Sequence, residues 1–253
     1  MRLPCLALLF APIATIHAQD LQELLQQAGG VQVTFAEDDT PYAPLGFTGS
    51  FRFEVHNYAG DQEQKNSPMD IFYAFTDDRM AFRPTSPDIR DKVTTVFDLK
   101  EKRMYMLTEN AKGERTGMKM KMLRVNVDKG ANDGAEDVQV ERTDETRTIE
   151  GHTCRKYLAR SSDGHSEAWV AEDIAFDLKK AFGRMVSGQR AQQWQRMPYG
   201  QGLVMEMTWW KADSNERMTL TTHDLRTGSV DETVFDTSGY TIQDLTALPV
   251  FGR

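Results

Sequence analysis

From about residue 31 to Glu172 hydrophobic and polar residues alternate, broken by short turn clusters. A period of two places successive side chains on opposite faces of an extended strand, so this pattern predicts a series of antiparallel strands. Phe51, Phe53 and Val55 share one face while Arg52, Glu54 and His56 share the other. Ile71, Tyr73 and Phe75 repeat the pattern, and the polar turn 76–79 leads back through Met80 and Phe82. Val93–Leu99, the charged turn 100–103 and Met104–Thr108 predict another hairpin, followed by a strand in G-M-K-M-K-M-L (117–123). Residues 130–137, rich in glycine and acids, predict an exposed loop. Further strands are expected at 138–149, 153–160, 165–171, 202–211, 216–224 and 229–235.

Two stretches carry a helical period instead. Asp20 is placed to cap a short helix over 20–30 that presents Leu21, Leu24 and Leu25 and stops at Gly29-Gly30. Ile174, Leu178, Ala181, Phe182, Met185 and Val186 recur every three or four residues, predicting an amphipathic helix over 173–187 that Asp173 caps and Gly188 ends. A second helical piece, 189–197, would run to Pro198. The fold class expected is α+β, mainly β. About ten strands form a curled antiparallel sheet, a half-barrel, with an N-terminal helix and a lid helix on its concave face.

Residues 1–18 read as a secretory signal peptide: Arg2, an apolar run from Leu3 to Ile16, and a small-residue end at Ala18. The run is shorter than the ~20 residues a membrane span needs. The remaining 19–253 then form a single periplasmic or secreted domain that is not an integral membrane protein. The formal net charge of −8 and the lack of a basic block exclude nucleic acid as a partner. Of the two cysteines, Cys5 lies within the leader, so Cys154 has no internal disulfide partner.

The methionines carry the main question about function. Met118, Met120 and Met122 fall at every second position, as do Met104 and Met106, and Met205 and Met207. Three readings stay open. Thioethers select Cu(I), and flexible side chains could gather several around one ion. Methionine is also adaptable, and three such strands in one curled sheet would line a deformable apolar cavity. Methionine at strand spacing is also ordinary core. In the cavity reading the lining residues are Met104, Met106, Met118, Met120, Met122, Met205, Met207 and Trp209, with Phe182 and Met185 on the lid helix.

Other chemistry finds little support. His152 and Cys154 lie two apart on a strand, an arrangement that can activate a thiol, yet no orienting group or oxyanion pocket can be named. His56, His165 and His223 lack metal-ligand spacing, and no phosphate loop or nucleophile elbow is present. The chain is expected not to be an enzyme and to need no cofactor. Of the adjacent Trp209 and Trp210, one must face the interior and the other outward.

The stretches I-E-G-H-T-C-R-K-Y (149–157), E-A-W-V-A-E-D (167–173) and V-F-D-T-S-G-Y (234–240) resemble a bacterial secreted family of unknown function. That family carries an Ile-x-Gly-x-x-Cys-x-Lys-Tyr strand pair, a Trp-Val strand and a closing Gly-Tyr segment. Thr237-Ser238 stands where its members usually have a proline. The order of elements is also similar to the half-barrel of periplasmic lipoprotein carriers (LolA/LolB-like). These readings together imply non-catalytic binding of a lipid or a lipoprotein acyl chain. Cu(I) binding through the Met-x-Met strands and a structural envelope module without ligand are the alternatives.

Overall fold

The computed structural model describes residues 32–65, 67–128, 138–177, 180–181, 186–188 and 202–247. Among these residues sixteen strands, numbered in chain order, make up two sheets. The small sheet joins β1 (Gln32–Glu37), β9 (Leu123–Asp128) and β13 (Val186–Gly188).

The large sheet has thirteen strands. One end is β10 (Gln139–Ile149), followed by β11 (His152–Ser161), β12 (Gly164–Ala171), β14 (Leu203–Lys211) and β15 (Glu216–Thr227). The order continues through β2 (Gly49–Ala59), β4 (Met69–Phe75), β5 (Arg79–Thr85), β6 (Lys92–Asp98), β7 (Arg103–Glu109) and β8 (Arg115–Lys121) to β16 (Thr241–Asp244). The short β3 (Gln62–Glu63) pairs with β2 off this path. The sheet curls without closing, leaving β10 and β16 as its ends.

The alternating residues become two packed faces. On the inner face Phe51, Phe75, Met80, Phe97 and Leu99 join Leu45, Phe47, Met122, Met205, Ile174 and Phe176 in the main core. On the outer face Ala74, Ala81, Val96 and Leu107 pack under Phe235, Tyr240 and Ile242 of the closing segment. The approach of that segment depends on Gly117, where a Cβ would come within 2.7 Å of Ile242 Cδ1. The expected 149–157 strand pair is the β10–β11 hairpin, in which Ile149 faces His152 across the two-residue loop Glu150-Gly151. Both loop residues have positive φ (46° and 85°), the geometry of a type I′ turn, and this explains the glycine of the Ile-x-Gly motif.

Several expectations are corrected. The strands among the described residues number sixteen instead of about ten, because the pattern does not report the three-stranded sheet or the short β3 and β16. The large sheet is not wholly antiparallel, since β16 runs parallel to β8, as β13 does to β9. The 229–235 strand is instead a loop followed by a 3-10 turn, Glu232–Phe235, capped by the Asp231 carboxylate on the backbone N–H of Thr233.

The helix over 173–187 is met only in part: among the described residues Lys180 and Ala181 are helical, with the Asp177 carboxylate accepting the Lys180 N–H at 2.9 Å, and Ala181 packs in the main core. Glu172–Asp177 is turn and extended chain, and Val186–Gly188 is a strand. Ile174 and Phe176, two residues apart, both reach the core, a spacing that suits an extended strap and not a helix face. The helical stretches expected at 20–30 and 189–197, residues 1–18 and the loop 130–137 lie outside the described residues.

Candidate functional site

The register assembles four of the expected lining residues. Met104 lies directly opposite Met120, and Met106 opposite Met118, across the β7–β8 pair. Directly paired Cβ atoms in an antiparallel sheet are about 5 Å apart, and residues two apart on one strand about 6.7 Å. The four thioethers therefore start from the corners of one small rectangle on the inner face. Their rows continue along the sheet: Met104 faces Phe97, which faces Met80, and Met106 faces Thr95, which faces Phe82 and then Tyr73. All four methionines are half-buried, and Met104 packs against the main core.

Lys119 and Lys121 project to the other side, as alternation requires, and pair there with Asp244 at 3.2 Å and Glu37 at 2.6 Å. The rectangle is thus apolar, with its flanking charges neutralised behind it. Burial raises the pKa of the Tyr73 hydroxyl well above the ordinary phenol value, which marks this floor as poorly solvated.

The other expected residues are distributed differently. Met122 and Met205 are 2 % and 0 % exposed within the main core. Met122 sits where the chain passes from β8 to β9, accepting from the Asp38 backbone N–H and donating its own to the Lys102 carbonyl. Met205 lies at a register shift: Trp169 pairs with Glu206 and Val170 with Val204, leaving Met205 without a partner on β12. Met207 and Trp209 are half-buried and face Leu220 and Met218 of β15, on the same side as Val55 but far along the sheet path from the rectangle. Phe182 and Met185 lie outside the described residues. Trp210 points the other way and stacks on His165 at 4.8 Å between ring centroids.

One residue that the sequence pattern did not single out closes the deep end of this face. Phe176, on the strap, packs edge-on against Phe47, Phe51 and Phe75 with centroids 5.1 to 5.3 Å away. The strap is anchored at Glu172. Arg142 grips its carboxylate with two hydrogen bonds of 2.7 and 2.8 Å, and the Tyr157 hydroxyl donates to it at 2.5 Å. The Arg142 hydrogen bond, more than any other contact, lowers the Glu172 pKa to about 2. Tyr157 of the I-E-G-H-T-C-R-K-Y motif thereby serves to fix the strap.

The motif cysteine is a core residue. Cys154 is fully buried, and that burial raises its thiol pKa, the reverse of what a nucleophile requires. His152 turns away to the Asp173 carboxylate at 2.9 Å. Among the described residues no group of three or more His, Cys, Asp or Glu side chains could hold a metal ion, and no helix is long and apolar enough to cross a membrane.

Two clefts stand out among the described residues, and both lie off the methionine face. One, of about 310 Å³, lies under the closing segment on the outer face. The other, of about 410 Å³, opens beside the β11–β12 hairpin at Arg160 and His165.

Comparison with known proteins returns distant structural likenesses. A structure of PNGF-II is 13 % identical over 78 % of this chain and 31 % of that one, with a TM-score of 0.34. This chain thus spans about a third of the length of that protein. A DUF1329 family protein from Desulfovibrio piger is 10 % identical over 79 % of this chain and 92 % of that one, with a TM-score of 0.23. A putative outer membrane lipoprotein-sorting protein domain from Vibrio parahaemolyticus is 9 % identical over 75 % and 89 %, with a TM-score of 0.26. No curated protein matches the chain. A family model described as a domain of unknown function, DUF4412, matches residues 47–237, which include the 149–157 and 167–173 motifs. The chain therefore belongs to the DUF4412 family.

Proposed function

We propose that the half-buried methionine face binds an apolar chain, a lipid or the acyl chain of a lipoprotein, without catalysing a reaction. The observation that carries this reading is the rectangle of Met104, Met106, Met118 and Met120, which continues into Phe82 and Tyr73 and is half-buried where the deep end is fully buried. Unbranched, polarizable thioethers conform to a flexible hydrocarbon better than branched side chains do. The lysines of the same strand are held behind the sheet by Asp244 and Glu37, so no unpaired charge of β8 need be desolvated when a chain lies down. In this reading the ligand lies along the face. The export signal expected in residues 1–18 would put the protein where envelope lipids are handled.

Energetics set the ligand length. Burying hydrocarbon yields ~0.8 kcal/mol per methylene, while association costs at least about 4 kcal/mol. An eight-carbon chain then gains little, whereas a sixteen-carbon chain leaves enough for micromolar binding. The test is native mass spectrometry and lipid extraction of the purified protein, followed by titration with octanoate and palmitate. Bound amphiphile and a strong preference for palmitate support the reading; absence of any bound amphiphile together with no palmitate binding ends it.

The same rectangle favours a second reading, a Cu(I) site formed by four thioethers. Simultaneous Met→Leu substitution at 104, 106, 118 and 120 separates the two. Leucine conserves volume and apolarity, so lipid binding survives, but it removes every sulfur, so Cu(I) binding is lost.

A further inference from the structure

We propose that the outer-face cleft between β5–β8 and the closing segment binds a small divalent oxyanion, a phosphate ester or a dicarboxylate. The cleft holds about 310 Å³ and is bordered by three cations, Arg83, Lys92 and Arg115, and two carboxylates, Glu109 and Asp236. Glu109 is already neutralised, with Arg115 at 3.1 Å and Lys92 at 3.9 Å. Asp236 accepts the backbone N–H of Ser238 at 2.8 Å. Arg83 makes no ion pair or hydrogen bond among the described residues, and its guanidinium lies 5.1 Å over the ring of Phe72. The cleft thus has one cation in excess, in a chain whose net charge is −8.

Both arginines are backed by an aromatic ring. Arg115 lies 5.8 Å over Tyr240, as Arg83 lies over Phe72. A ring beneath a guanidinium occupies its face and leaves the N–H edge to the cleft, the donor fork that matches two oxygens of a phosphate or carboxylate; Arg83 offers that whole edge, whereas Arg115 already gives its Nε–H to Glu109 and offers only its terminal N–H groups. Buried Thr94 borders the same space. The volume lies at the small end of ligand pockets and suits a three-carbon phosphate or a short dicarboxylate. The site is on the face opposite the methionine rectangle, because Leu107, which lines it, alternates with Met106. Its fate is therefore independent of the apolar-chain reading.

The test is amide NMR titration of the whole chain at physiological salt with glycerol 3-phosphate and with succinate, using glycerol as the neutral control. Saturable shifts at Thr94, Gly239 and Tyr240 are expected with at least one dianion and none with glycerol, and the tighter of the two names the ligand class. Arg83→Gln should weaken binding roughly tenfold, the loss of one charge-assisted fork, and Arg83→Lys should weaken it less. Lys92→Gln supplies a second variant should Arg83→Gln fail to fold. Absence of saturable shifts with both dianions, or substitutions at Arg83 and Lys92 that leave affinity unchanged, would overturn the proposal.

Discussion

Met122 and Met205 on one side, and Met104, Met106, Met118 and Met120 on the other, are the same residue type at the same sequence spacing with different surroundings. The first pair is buried in the main core, which also holds Phe51, Phe75, Met80 and the strap residues Ile174 and Phe176. The second group is half-buried on β7 and β8, four strands and more from β2 along the sheet path. Coverage distinguishes a packing methionine from one available to a ligand, and alternation in the sequence reports only which face a residue takes. The deep end is core and the β7–β8 end is the candidate surface.

This contrast can be broken at the strap first. Phe176→Ala removes a ring that meets three others, and chemical denaturation should show a loss of about 4 kcal/mol. Met205→Ala, at a site with no solvent exposure, should cost about 3 kcal/mol. Met118→Ala should cost less than about 1 kcal/mol while weakening palmitate binding, since its side chain is only half covered. Equal losses at 118 and 205 would erase the distinction between the two groups.

The smallest effect concerns the strap anchor. Glu172 has a folded pKa of about 2, against 4.5 for an unperturbed glutamate. Its contribution to stability is therefore complete above pH 4.5 and is lost as the pH falls toward 2. Urea midpoints measured across that window should fall more steeply in the native chain than in Glu172→Gln. Parallel curves would mean that the Arg142 and Tyr157 contacts do not hold the strap.

The hairpins from β2 to β8 and the β11–β12 hairpin were legible because most of their strands alternate and most of their turns are short. The failures share a physical origin in contacts between distant segments. Ile174, Leu178 and Ala181 satisfy a helical period in the sequence, but Phe176 competes for the same core and draws residues 174–177 out, leaving only Lys180 and Ala181 helical among the described residues. The β8–β16 pairing joins segments about 125 residues apart, and no local pattern reports such a pair. The passage from β8 into β9 at Met122 reads in sequence as one continuous strand. Lys102 looked like a surface turn residue; its ammonium reaches the Asp38 carbonyl and carboxylate and the Thr40 carbonyl. The candidate site was half legible. The Met-x-Met spacing showed that the thioethers share a face, but the pairing of Met104 with Met120 depends on register, and burial depends on which segments of the fold pack over each methionine.

The most direct test labels the methionine methyl groups with carbon-13 and follows them by NMR as palmitate is added. The resonances of Met104, Met106, Met118 and Met120 should shift together and saturate, while those of Met122 and Met205 stay in place. If the four exposed-end methyls do not move at palmitate saturation, or if only Met122 and Met205 respond, the methionine face is not where an apolar chain binds.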